Sequence, residues 1–308
     1  MNITARPQPD FSVRADQRVK IRLTAKIYGV RKMKNYKVSL KETYGIEGGE
    51  LECILLDLPF DRETPEWRRP AVIVVPGGGY YMVSKREGEP IASAFLSRGF
   101  QVFVLTYTTA PEGAAYPDQL IQLAAAVDYV KKHAEECFVN PEEVFVVGFS
   151  AGGHLTADLA VEYASVPQKS GLELDCRPSA VGLGYPVISS KAGHVDSYNN
   201  ILSGYTEEAK AEAMKSLDLD ERVTDDTPPA FLWSTSEDTT VPSENSLLYA
   251  LALARHKIPY ELHVYPKGWH GLASCDCEVN SPQDFLRKNS HWLDDCAQFF
   301  RLFTKETF

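Results

Sequence analysis

Val144-Phe145-Val146-Val147-Gly148-Phe149-Ser150-Ala151-Gly152-Gly153-His154-Leu155-Thr156-Ala157-Asp158-Leu159-Ala160 decides how the rest of this chain is read. Its first four residues form an apolar run of strand length, and His154 to Ala160 reads as a helix. Between them, Gly148 and Gly152 flank Ser150 without Cβ atoms, so a sharp strand-to-helix turn can hold the serine strained with its Oγ above the sheet. A serine in a glycine-flanked turn is ordinarily just a turn residue. The strand before it and the helix after it point instead to a nucleophile.

Alternating elements extend from this elbow in both directions. Upstream are the β-like runs 19–28 and 51–58, then Ala71-Val72-Ile73-Val74-Val75, which ends at Pro76-Gly77-Gly78-Gly79. A helix over 89–97 closes at Gly99, a strand follows over 101–107, and 118–136 carries apolar residues at helical spacing with Asp118 as its expected cap. Downstream come strands over 180–185, 230–234 and 260–265 and a helix over 243–257. Such alternation predicts an α/β fold with a mostly parallel central sheet and helices on both faces. Between Ile188 and Thr227 no strand-length apolar run occurs, and 207–214 reads as a helix, so about 188–227 is expected to be a short cap insertion. Residues 1–45 are expected to be an N-terminal extension with edge strands, and the whole chain 1–308 a single domain.

Bulk properties narrow the function classes. The chain has 308 residues, 44% hydrophobic and 24% charged, enough to bury a large core, and its net charge of -10 argues against nucleic-acid or anionic-membrane surfaces and favours a neutral substrate. Residues 1–10 lack a continuous apolar segment and no later run approaches a membrane-spanning length, which makes a cytoplasmic location the expectation. The six cysteines are scattered and read mostly as buried thiols. Cys275, Cys277 and Cys296 lack the paired spacing of a zinc site, and no metal is expected.

A serine hydroxyl near neutral pH needs a base, an orienting carboxylate and donors for the developing oxyanion. His270 follows strand 260–265, and Asp238 follows strand 230–234, where it competes with Glu237, Asp225 and Asp226. The chain order Ser150, Asp238, His270 is that of hydrolases with a parallel sheet. His133, His194, His256 and His291 read as surface residues, His263 falls inside a strand, and His154 is expected to pack beneath the elbow. Gly78 and Gly79, with the N–H of Ala151, are the candidate oxyanion donors. Tyr80, Tyr81, Tyr185 and Trp269 stand beside strand ends, where aromatics either line a substrate wall or pack into the core. Arg86, Glu87 and Glu89 either bind substrate or form an internal ion pair bracing the glycine-rich loop.

Pro76-Gly77-Gly78-Gly79-Tyr80, Ser84-Lys85-Arg86-Glu87-Gly88-Glu89-Pro90-Ile91-Ala92 and Gly148-Phe149-Ser150-Ala151-Gly152-Gly153-His154 together resemble the bacterial acetylesterase and xylan-esterase-like branch of the α/β-hydrolases, near its feruloyl-esterase-like and hormone-sensitive-lipase-like groups. The similarity runs from about residue 50 to the C-terminus, with proline at 76 where the lipase loop has histidine. It implies hydrolysis of short acyl esters, chiefly acetyl groups on sugars or xylo-oligosaccharides, by a two-step acyl transfer through Ser150 with no cofactor. Its partners would be a small-molecule ester, with no nucleic acid or membrane, and homo-oligomerisation stays open. The rival readings are a prolyl-oligopeptidase-like peptidase or amidase and a non-catalytic binding protein on the same fold.

Overall fold

Ala71, Ile73 and Val75 turn to one face of a sheet and Val72 and Val74 to the other, and all five are fully buried. Side chains alternate along a strand, so an unbroken apolar run is stable only where both faces are covered. In the computed structural model, which describes residues 33–57 and 67–305, within one unit spanning Arg31–Phe308, this run lies mid-sheet. Eight strands form that sheet: β1 Lys34–Ser39, β2 Glu50–Leu55, β3 Arg69–Val75, β4 Gln101–Thr106, β5 Val139–Phe149, β6 Val181–Gly184, β7 Ala230–Thr235 and β8 Tyr260–Tyr265. Their order is β1-β2-β4-β3-β5-β6-β7-β8. β2 runs antiparallel to both its neighbours, and the six strands from β4 to β8 are parallel. The strand expected over 19–28 lies outside the described residues, as does the end of that expected over 51–58.

The helices are α1 Leu40–Tyr44, α2 Glu89–Ser97, α3 Asp118–Lys132, α4 Ala151–Glu162, α5 Val166–Ser170, α6 Val195–Ile201, α7 Glu207–Ser216, α8 Glu244–Arg255, α9 Leu286–Asn289 and α10 Trp292–Arg301. One core joins Ile73, Val75 and Val146 to Leu123 and Val127 of α3, Leu155 of α4 and Leu253 of α8. The other joins Val72, Val74 and Val147 to Phe95 of α2 and Phe300 of α10. α10 has no counterpart among the elements expected from sequence. It closes the second face by stacking, with Phe300 on Phe145 at 4.5 Å and Trp292 on Trp233 at 5.0 Å between ring centroids. Asp118 occupies the first helical position of α3 rather than capping it, and α3 ends at Lys132, short of the expected 136.

Residues 188–227 contain α6 and α7 and no strand. The hydroxyl of Thr206 accepts from the N–H of Ala209 and starts α7. Because β3, β5, β7 and β8 are parallel, the loops leaving them emerge at one edge of the sheet, where ligand crevices form in this architecture.

Candidate active site

Ser150 has φ 53° and ψ -119°, in the left-handed half of backbone space that a side chain disfavours. Close approach on both sides enforces it. A Cβ at Gly148 would lie 2.2 Å from the carbonyl oxygen of Gly152, and one at Gly152 would lie 2.2 Å from that of Val75. The first turn of α4 thus presses on the ends of β5 and β3. The serine N–H donates to the Gly184 carbonyl at 3.0 Å, and its own carbonyl accepts from Val187 at 3.1 Å.

His270, beyond β8, brings Nε2 to 2.9 Å from Ser150 Oγ and Nδ1 to 2.7 Å from Asp238 Oδ2. The other carboxylate oxygen, Oδ1, accepts from the N–H groups of Thr240 and Val241, both at 2.9 Å. A carboxylate only accepts, so Nδ1 carries the proton and Nε2 is left to accept from the serine hydroxyl. The competing acids lie elsewhere: Glu237 accepts from Lys267 and the N–H of Gly268, and Asp225 pairs with His256.

The glycine-rich loop after β3 faces this chain of groups. The Gly77 N–H is spent on Glu87 Oε2 at 2.8 Å. Those of Gly78, Gly79 and Ala151 have no acceptor among the described residues. Gly78, at φ 122°, is folded so tightly that a Cβ there would meet the Met82 carbonyl oxygen at 2.1 Å. A pocket of about 400 Å³ opens over Ser150 and His270, with Gly78 and Gly79 on one side and Arg86 and His194 among its walls.

Two of the four candidate substrate aromatics belong to the core. Tyr80, at φ 59°, is fully buried beneath the loop and donates its hydroxyl to His154 Nδ1 at 2.8 Å. Tyr185, at φ 36° and 2% exposed, donates to Glu87 Oε1 at 2.7 Å and accepts from the Ala273 N–H at 3.0 Å. Tyr81 and Trp269 are exposed and lie outside the pocket lining. Of the two uses left open for these four aromatics, packing into the core holds for Tyr80 and Tyr185, and none of the four lines the pocket.

Glu87, by contrast, is buried and joins three loops: through Gly77 to the glycine-rich loop, and through Tyr185 to the end of β6 and the segment after His270. This brace is a hydrogen-bonded chain, not the ion pair with Arg86 that the charges suggest. Arg86 Nη2 donates instead to the Val279 carbonyl at 2.7 Å and Asn280 Oδ1 at 3.0 Å. His154 lies under the elbow, with Nε2 donating to the Leu217 carbonyl at 3.1 Å, and burial pushes its pKa down to about 4.

Over the same residues, one family model, BD-FAE, matches 56–179 and another, the prolyl oligopeptidase family, matches 177–299. Among solved structures, an acetyl ester-xyloside bifunctional hydrolase from Caldicellulosiruptor lactoaceticus superposes with a TM-score of 0.73 at 30% identity, covering 88% of this chain and 97% of that one. The chain belongs to the α/β-hydrolases, in their acetylxylan-esterase-like branch. This α/β-hydrolase is also 37% identical over 219 residues to endo-1,4-beta-xylanase B of Butyrivibrio fibrisolvens and 32% identical over 216 residues to an acetylxylan esterase of Xylanibacter ruminicola. These matches cover 70% and 68% of the chain, but only 34% and 42% of those relatives' own lengths.

Sequence reasoning put His194 on the surface. In the α/β-hydrolase fold it is half-buried at the start of α6, its ring 6.3 Å from that of His270 and its Nδ1 2.9 Å from Ser197 Oγ. Burial first, and the nearby His270 second, lower its pKa. The signal available in the chain was Gly193-His194 immediately before a helix inside the cap.

Proposed function

We propose that this α/β-hydrolase is a serine carboxylesterase acting on short acyl esters, in particular acetyl groups on sugars or xylo-oligosaccharides. The observation that carries the reading is the hydrogen-bonded chain from Ser150 Oγ through His270 to Asp238 beside unspent loop N–H groups. His270 takes the serine proton as Ser150 attacks the ester carbonyl, and the N–H groups of Gly78, Gly79 and Ala151 receive the oxyanion. One such donor is typically worth about 3 kcal/mol in the transition state. His270 then protonates the leaving alcohol, and water hydrolyses the acyl-serine with the same histidine as base. Asp238 keeps Nδ1 protonated and supports the imidazolium. The acetyl preference draws on the names of the acetylxylan esterase and the acetyl ester-xyloside hydrolase that the chain resembles.

The test is a hydrolysis panel of p-nitrophenyl acetate, butyrate and octanoate, acetylated xylo-oligosaccharides and aminoacyl anilides, with fluorophosphonate labelling of wild type and Ser150→Ala. Acetate is expected to lead the nitrophenyl series, and labelling to vanish in the variant. Labelling that survives Ser150→Ala removes the nucleophile assignment. The match of 177–299 to the prolyl oligopeptidase family supports a second reading, peptidase or amidase activity from the same serine. Clear preference for the anilides would select it.

A further inference from the structure

Resting on the esterase reading, we infer that the pocket beside Ser150 takes esters that also carry a carboxylate, and that Arg86 binds that carboxylate. Arg86 lines the same pocket as Ser150 and His270. Its guanidinium is held in place by neutral acceptors alone, the Val279 carbonyl and Asn280 Oδ1. Asn280 is itself fixed, its amide donating to the carbonyls of Leu272 at 2.9 Å and Asp276 at 3.1 Å. The cation is therefore positioned before any substrate arrives, and the ordering cost of binding is correspondingly low.

Glu87, the neighbour of Arg86 in sequence and in the pocket lining, directs its two oxygens at Gly77 and Tyr185, and Arg86 forms no ion pair among the described residues. A guanidinium stays charged at any working pH and offers five N–H donors; with Nη2 engaged, the Nε and Nη1 donors are unspent. The chain as a whole carries -10, so its general field repels anions. A fixed local cation is what an anionic substrate would need to enter such a site. Charge-assisted bonds from arginine to carboxylate are among the stronger hydrogen bonds available to a protein.

The carboxylate has two chemical sources, the acyl part, as in a hemi-ester of a dicarboxylic acid, or the alcohol part, as in an acetylated oligosaccharide bearing a uronic acid. Two arms separate them. The acyl arm compares mono-p-nitrophenyl succinate with p-nitrophenyl butyrate, and the alcohol arm compares acetylated xylo-oligosaccharides with and without a uronic-acid branch. Each is run with wild type, Arg86→Lys and Arg86→Gln.

In one arm, the ratio of kcat/KM for the charged over the neutral ester is expected to fall at least about tenfold in Arg86→Gln, and less in Arg86→Lys. That ratio separates binding from bracing, because losing a brace slows both esters alike. A ratio unmoved by Arg86→Gln in both arms overturns the inference. Should that variant fail to fold, the wild-type salt series decides. KM for the charged ester must rise between about 20 mM and about 500 mM NaCl while that for the neutral ester holds, as screening requires, and a flat series overturns the inference. Hydrolysis of both esters with an unmoved ratio defeats only the role of Arg86, whereas no hydrolysis of either defeats the esterase reading itself.

Discussion

The side-chain amide of Asn200 donates to the carbonyl oxygen of Gly79 at 2.8 Å, tying cap helix α6 to the glycine-rich loop. His194, Ser197 and Asn200 are spaced three residues apart along this helix and its start, so they share a face. A Cβ placed on Gly79 would find all three within 3.8 to 4.0 Å. Helix α6 thus packs against the glycine-rich loop and is tied to it at Gly79.

Replacing Asn200 with alanine removes that tie while leaving Ser150, His270 and Asp238 untouched. One neutral hydrogen bond contributes about 1 kcal/mol, so kcat on p-nitrophenyl acetate should fall about fivefold, with KM little changed. A change in KM with kcat intact would mean that Asn200 shapes ground-state binding and not the loop.

Glu87→Gln tests the buried brace. Glutamine has one acceptor oxygen where the carboxylate has two, so either the Gly77 N–H or the Tyr185 hydroxyl would face an NH₂ donor. Stability should drop by about 1–3 kcal/mol, read from denaturant unfolding, and kcat should drop with it because Gly77 begins the loop. Tyr185→Phe removes one donor to the carboxylate and also leaves the buried Ala273 N–H without its acceptor, so it should cost about as much as Glu87→Gln.

Asp158 lies two helical steps of four below Ser150 on α4, fully buried, with neither carboxylate oxygen hydrogen-bonded. Burial raises its pKa to about 7, opposed by the charges of Lys169 and Arg222 and reinforced by that of Glu162. A raised acid is fully accommodated below its unfolded pKa, near 3.8, and its contribution is lost as pH climbs through the folded value. Asp158→Asn should therefore gain in Tm relative to wild type between pH 5 and pH 8, by at most about 4 kcal/mol in stability. Buried His154 acts in the other direction: its pKa of about 4 makes stability fall as pH drops below about 6.5. A Tm difference that is constant across this range would mean that Asp158 is ionised throughout.

The mid-sheet strands were legible because burial on both faces leaves unbroken apolar runs. The elbow was legible because glycines flank the serine between an apolar run and a helical one; the contact of position 148 with the Gly152 carbonyl is local, whereas that of position 152 with the Val75 carbonyl belongs to the tertiary structure. Asp238 and His270 could be named from their positions after strands, but nothing in their neighbours distinguishes Asp238 from Glu237. That choice follows from where β7 ends and from which carboxylate the Thr240 and Val241 N–H groups reach. α10 carries helical apolar spacing in its own residues, Trp292, Leu293, Cys296, Ala297, Phe299 and Phe300, so only its docking on the aromatic face of Phe145 and Trp233 depends on the tertiary structure.

By itself, the sequence determined the parallel sheet, the strained serine and the order in which three chemical groups leave its strands, since these depend on short-range sterics and on periodicity. Only the tertiary structure decided which side chains face the pocket. Tyr80 and Tyr185 are packed into the core, His194 stands at the pocket at the start of α6, and Arg86 has no acid partner among the described residues. The direction of a loop side chain depends on contacts far along the chain, 74 positions for Tyr80 with His154 and 98 for Tyr185 with Glu87, and no local pattern in the chain encodes that distance.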